Sequence, residues 1–175
     1  MAKKTSGDKV IMVPKNSVKV QFRINPSDER ELKTESLWAE RVGAGLFRIL
    51  NSPFFLFGIS AEDIVAAAEV GDDLKFQCVI SRGGHSTYRI FLQGDRDIYG
   101  GDFQMYWAPI SAQGATFENA NSRFVVVDIP PGKNVHEIYR LFDKGEQDGI
   151  WAFEEVHYSG ADRDDDRVLD KTGRN

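Results

Sequence analysis

Cysteine is nearly missing from this sequence: Cys78 is the only one in 175 residues. An internal disulfide is excluded, and a reducing, cytoplasmic setting is expected. Histidine is scarce too. His85, His136 and His157 are scattered, so the clustered ligands of a metal site are missing, and neither a metal nor a cofactor is expected. Apolar runs are short, which argues against a membrane span. No apolar stretch follows Lys3 and Lys4 in the manner of a signal peptide. No phosphate-cradling glycine loop, nucleophile elbow or kinase signature occurs.

Positive charge is also in deficit. Lys and Arg number 22 against 27 Asp and Glu, a net charge of −5. Residues 1–15 carry +3 and residues 160–175 carry −1, which leaves −7 on the body between them. Nucleic-acid binding depends on Lys and Arg neutralising phosphates, so this balance argues against it. It suits a basic protein partner, or it serves solubility alone.

What is present is enough apolar content for a core, at 41%, with twelve Phe, five Tyr and three Trp. Residues 1–15 are expected to form a mobile arm and residues 160–175 a disordered tail. Between them, Val18–Ile24 alternates strictly and predicts a half-buried strand. The turn Asn25-Pro26-Ser27-Asp28 ends it. Glu35–Val42 and Gly45–Leu50 read as strands around Gly43-Ala44-Gly45, and the apolar run Pro53–Phe57 reads as a buried strand. Ser60–Val70 fits either a helix opened by Ser60 and Asp63 or a strand from Ile64, and the strand is preferred. In Leu74–Ser81, alternation places Leu74, Phe76, Cys78 and Ile80 on one face, which makes Cys78 a core residue. Arg82-Gly83-Gly84-His85 reads as a hairpin turn into the strand Ser86–Leu92.

The second half is more regular. Phe103, Tyr106, Trp107 and Ile110 fall at helical spacing, with Pro109 inside and Gly114 as a stop. Ala115–Glu118 and Arg123–Ile129 form a hairpin. Asn134 and Glu137 signal a helix start, Val135, Ile138, Leu141 and Phe142 its buried stripe, and Gly145 its end. Ile150–Tyr158 is the last strand. The expected class is α+β: a small curved antiparallel sheet or barrel over residues 16–85, joined to a ferredoxin-like β-α-β-β-α-β half over residues 86–159.

Three patches carry candidate chemistry. In Gly84-His85-Ser86-Thr87-Tyr88-Arg89, an imidazole, hydroxyls and a guanidinium flank a glycine turn, so His85, Ser86, Thr87 and Arg89 are candidate anion ligands. Strand alternation puts Thr87 and Arg89 on one face and Ser86 and Tyr88 on the other, so only half of the motif serves one site. The plainer reading is a hairpin whose polar residues cap its turn. In the second patch Glu35 and Glu40 point to opposite faces, and Trp38 shares the face of Glu40, where it reads either as a platform for a cationic ligand or as core. Asp63 is the third, with a turn or cap as its plainer role. Glu154, Glu155 and His157 read as a solvated face.

Glu35-Ser36-Leu37-Trp38-Ala39-Glu40, Asn51-Ser52-Pro53-Phe54-Phe55 running on to Asp63, the Gly84–Arg89 stretch and Gly149–Glu155, taken in order, resemble an uncharacterised bacterial family, domain of unknown function 4265. The resemblance spans about residues 18–158 and implies a bacterial, cytoplasmic, single-module protein with a strand after Asp63. It implies no activity. Glu62 stands where that family usually has Gly, which argues against a tight turn there. Three function classes follow. The first is a non-enzymatic protein-binding module, such as an immunity or antitoxin-type protein neutralising a basic partner. The others are a small-molecule sensor for an anion or nucleotide, and a hydrolase or transferase using His85 with Glu35 or Asp63.

Overall fold

The computed structural model describes residues 14–24 and 33–160. The turn expected at Asn25–Asp28 lies outside them, as do the expected tail beyond Gly160 and all but residues 14–15 of the expected arm. The fold is mixed α+β. Its first half is a closed five-stranded barrel. β1 (Val18–Arg23) turns Val20 and Phe22 inward and pairs antiparallel with β2 (Thr34–Gly43), which adds Leu37 and Ala39. Gly45, at φ +67°, makes the turn into β3 (Leu46–Ile49), which contributes Phe47 and Ile49. β4 (Ile64–Val70) and β5 (Asp73–Ser81) complete the wall. Closure is slight: β1 and β5 run parallel and meet only at Val20↔Leu74 and Gln21↔Lys75.

Three expectations for this half are corrected. Cys78 is exposed, because a bulge in β5 breaks the alternation. Ala66 faces Cys78 while Ala67 faces Phe76, so Gln77 is the extra residue. Phe76 and Val79 therefore both pack on the core, and Ile80 turns out, 53% exposed. Pro53–Phe57 is not a strand; it is irregular, with Phe55 and Phe57 at 55% and 60% exposure. Arg82–His85 is not a hairpin turn. β5 pairs with β4 and β1, so these residues are an extended link from the barrel to a second sheet.

That sheet holds β6 (Ser86–Leu92), β7 (Thr116–Asn121), β8 (Phe124–Ile129) and β9 (Trp151–His157) in the order β7-β8-β6-β9, every neighbour antiparallel. α1 (Gly101–Ala112) and α2 (Val135–Gln147) pack on one face of it. Phe103, Trp107 and Ile110 of α1 and Ile138 and Phe142 of α2 share a core with Tyr88, Ile90 and Leu92. Asn134 caps α2 by accepting the Glu137 N–H at 3.2 Å. Gly145 does not end α2, which continues to Gln147; Gly149, at φ +68°, follows the end. Gly145 instead makes room for Trp151, whose indole donates to the Phe142 carbonyl at 2.9 Å.

A β-carbon at Gly145 would lie 2.3 Å from the Trp151 ring. Alanine ordinarily improves a helix by up to about 1 kcal/mol over glycine. Here the clash outweighs that gain, and Gly145→Ala is expected to lower unfolding free energy by about 1–3 kcal/mol in urea titration.

Candidate functional site

Between β3 and β4 the chain crosses the junction of the two halves without regular structure, yet much of it is buried. Its backbone polar groups must then find partners other than a strand ladder. Carboxylates supply them. Glu35, at the start of β2, accepts the N–H groups of Phe54, Phe55 and Leu56 at 2.6, 3.0 and 3.1 Å. Glu118 of β7, 5% exposed, accepts the Ser52 N–H at 3.1 Å. Asp63, fully buried, accepts from the Ser60 N–H, the Gly83 N–H and Arg82 Nη1 at 3.0, 2.9 and 3.0 Å. Asp63 thus has the turn-fastening role, and Glu62 beside it has φ +66°. The tight turn is present after all, with Glu in a left-handed conformation that Gly adopts at less cost.

The other candidates divide by face as alternation predicts. Thr87 Oγ1 meets Ser60 Oγ at 2.7 Å, and Arg89 donates to the Leu56 carbonyl, pairs with Glu154 at 2.9 Å and lies 4.5 Å from the Phe57 ring centroid. On the opposite face, Ser86 Oγ lies 3.0 Å from Ser159 Oγ, and the Tyr88 hydroxyl donates to Glu155 at 2.9 Å. Burial first, then Glu155, push the Tyr88 phenol well above its ordinary value. His85 Nδ1 lies 2.7 Å from Asp128 Oδ1, and neither Glu35 nor Asp63 is its partner. Trp38 is half-buried and outward, with Lys19 Nζ 4.8 Å from its ring centroid. Of the expected solvated face, Glu155 is exposed and the Glu154 side chain 41% exposed, though they also hold Tyr88 and Arg89; His157 is the correction, at 9% exposure. The structure therefore joins Asp63, Thr87 and Arg89 through the one segment that Glu35 also holds. Trp38 meets the same segment through its backbone, its N–H donating to Asn51 Oδ1 at 2.8 Å, while its ring points outward; His85 and Ser86 stand apart from it.

Sequence reasoning missed a groove of about 1030 Å³. It opens where β1 and β5 diverge beyond Gln21 and Lys75, and Phe55–Ile59 forms its third side. Phe22 and Phe76 stack across the seam, ring centroids 4.7 Å apart. Bulges and strand divergence have no residue signature, so the one available signal was Phe55 and Phe57 between Pro53 and Gly58. Among the described residues, no group of three or more His, Cys, Asp or Glu is placed to hold a metal ion, and no helix is long and apolar enough to cross a membrane.

Comparison with known proteins gives two likenesses. The family model described as Domain of unknown function (DUF4265) matches residues 35–153. A crystal structure of a hypothetical protein from Neisseria gonorrhoeae superposes with a TM-score of 0.65 at 21% identity, covering 80% of this chain and 92% of that one. That likeness is one of fold alone. No curated protein matches the sequence.

Two outcomes follow from these contacts. Asp63→Ala strands two backbone donors in the junction and is expected to cost about 2–4 kcal/mol, read by urea titration. Tyr88 holds its proton more tightly folded than unfolded. Its contribution is therefore complete below its ordinary value of 10.0 and is lost as pH rises above it. Unfolding free energy should fall by about 1.4 kcal/mol per pH unit above that point, and less steeply in Tyr88→Phe.

Proposed function

We propose, from the premise that this chain belongs to the Domain of unknown function (DUF4265) family, that it is a non-enzymatic domain binding a small apolar molecule in the groove between β1 and β5. The observation that carries this reading is the groove itself. Its volume, about 1030 Å³, is at the upper end of small-molecule sites, and its lining is mainly aromatic and aliphatic with a few polar groups. The polar side chains that attract a catalytic reading are engaged elsewhere: the Glu35 and Asp63 carboxylates each accept three hydrogen bonds within the junction. A hydrolase or transferase built on His85 would have Asp128 as its orienting carboxylate.

We read the second half as ferredoxin-like, from its element order and the sheet order β7-β8-β6-β9. That fold supports ligand sensing and pure binding equally, so it does not choose between them. A bacterial, cytoplasmic setting is part of the same proposal. The acidic body favours a second reading, a protein-binding module for a basic partner. Recovery of one stoichiometric basic protein from the native cell, displaced by salt, supports it; recovery of none counts against it.

The groove reading is tested with N-phenyl-1-naphthylamine, a neutral fluorescent probe. One saturable site is expected, lost in Phe55→Asp and kept in Met105→Asp. Both side chains are exposed, at 55% and 65%, so the pair controls for a general loss of surface hydrophobicity. Absence of saturable binding, or equal loss in both variants, overturns the reading.

A further inference from the structure

Resting on the groove reading, we infer that the ligand is an amphipathic anion, an apolar body ending in a carboxylate, sulfonate or phosphate. The groove has an apolar floor and a charged rim. Phe22, Leu56, Ile59, Phe76 and Val79 belong to the barrel core or pack against it, and they form the apolar floor. Strand alternation sends Gln21 and Arg23 of β1 to the outside of the wall, and Lys75 of β5 faces Gln21 across the two-residue closure.

Among the described residues that line the groove, Arg23 and Lys75 are the charged ones, and none is Asp or Glu. In a chain with 27 carboxylates against 22 basic residues, two cations and no acid among the described lining residues depart from the bulk composition. Arg23 is exposed and Lys75 half-buried, and neither is salt-bridged to a carboxylate among the described residues. Glu35, which follows the lining residue Thr34, is engaged elsewhere: its carboxylate accepts the N–H groups of Phe54, Phe55 and Leu56. An apolar body therefore reaches the floor while an anionic end stays at the mouth between two cations. A cationic or neutral ligand of the same shape gains the floor and not the rim.

The remaining polar lining, Gln21, Thr34 and Gln77, consists of neutral side chains able to donate hydrogen bonds to an anionic head group. Two partly exposed ion pairs together favour the anion by up to about tenfold in affinity.

The experiment compares 8-anilinonaphthalene-1-sulfonate with the neutral N-phenyl-1-naphthylamine, which has the same ring skeleton without the sulfonate. The full-length wild-type chain and the double variant Arg23→Glu/Lys75→Glu are titrated at low salt. The wild type should bind the sulfonate about tenfold more tightly than the neutral probe, with the preference shrinking as salt rises. The double variant should lose that preference and keep its affinity for the neutral probe. Circular dichroism of the variant checks that the fold is unchanged; if it is not, Arg23→Gln/Lys75→Gln takes its place, with loss of the preference expected. Equal binding of both probes by the wild type, or a sulfonate preference that survives either pair of substitutions, overturns the anion assignment and leaves the groove reading standing. Failure of both probes to bind overturns the two together.

Discussion

The structure depends on how the chain between β3 and β4 satisfies a buried backbone that no strand pairs with. Three carboxylates do this: Glu35 from the barrel, Glu118 from the sheet, and Asp63 from the end of the segment itself. Each accepts main-chain N–H groups, and hydrogen bonds to a charged acceptor are worth more than neutral ones, about 1.5–3 kcal/mol each. Because the acceptors come from both halves, the segment joins barrel to sheet. Gly58 N–H on the Val156 carbonyl, 3.0 Å, adds a main-chain link between the same two bodies.

This arrangement alters what the acidity of the chain means. Glu118, Asp63 and Asp128 are at most 5% exposed. A share of the acidic excess is therefore internal, engaged by backbone donors, Arg82 and His85 and not displayed on the surface for direct contact with a partner. The junction also explains two backbone oddities together. Glu62 occupies a left-handed conformation, and a β-carbon on Gly83 would lie 2.6 Å from the Glu62 carbonyl carbon. The turn before β4 and the link after β5 press against each other, so strain at Glu62 and the smallness of Gly83 have one cause, the grip of Asp63 on both.

What was legible in the residues was whatever rests on local periodicity or a local cap. The alternation of β1, the Phe103–Ile110 stripe and the Asn134 cap all depend on neighbours within a few positions. The misreadings share the opposite property. Cys78 faces out because a bulge at Gln77 shifts the phase, and a bulge is set by the partner strand, not by Gln77 itself. Pro53–Phe57 is apolar enough for a strand, but its N–H groups go to Glu35, a contact about twenty residues away. Glu154 and Glu155 do reach solvent, but the register also sets Arg89 and Tyr88 beside them, which local periodicity does not reveal. Gly145 looks like a stop signal because the demand for its missing β-carbon comes from Trp151 on another element. Asp63, Thr87 and Arg89, candidates from two separate patches, do converge, but on holding a segment.

Arg89 ties the groove to the rest of the molecule. It is 3% exposed, a charge that must be paired where it stands. Glu154 neutralises it from the neighbouring strand, the Leu56 carbonyl accepts from it, and the Phe57 ring lies against its guanidinium. Leu56 and Phe57 are both walls of the groove. A ligand that moved this wall would have to break a buried, charge-assisted contact, so the wall is held in place before anything binds, and little ordering cost remains at binding. The same contact gives the groove a direct mechanical connection to β6, a central strand of the second sheet, and to β9 at its edge. A binding domain needs the first property. A sensor needs the second as well, since a signal has to leave the site through an element that the ligand touches and the neighbouring body also holds.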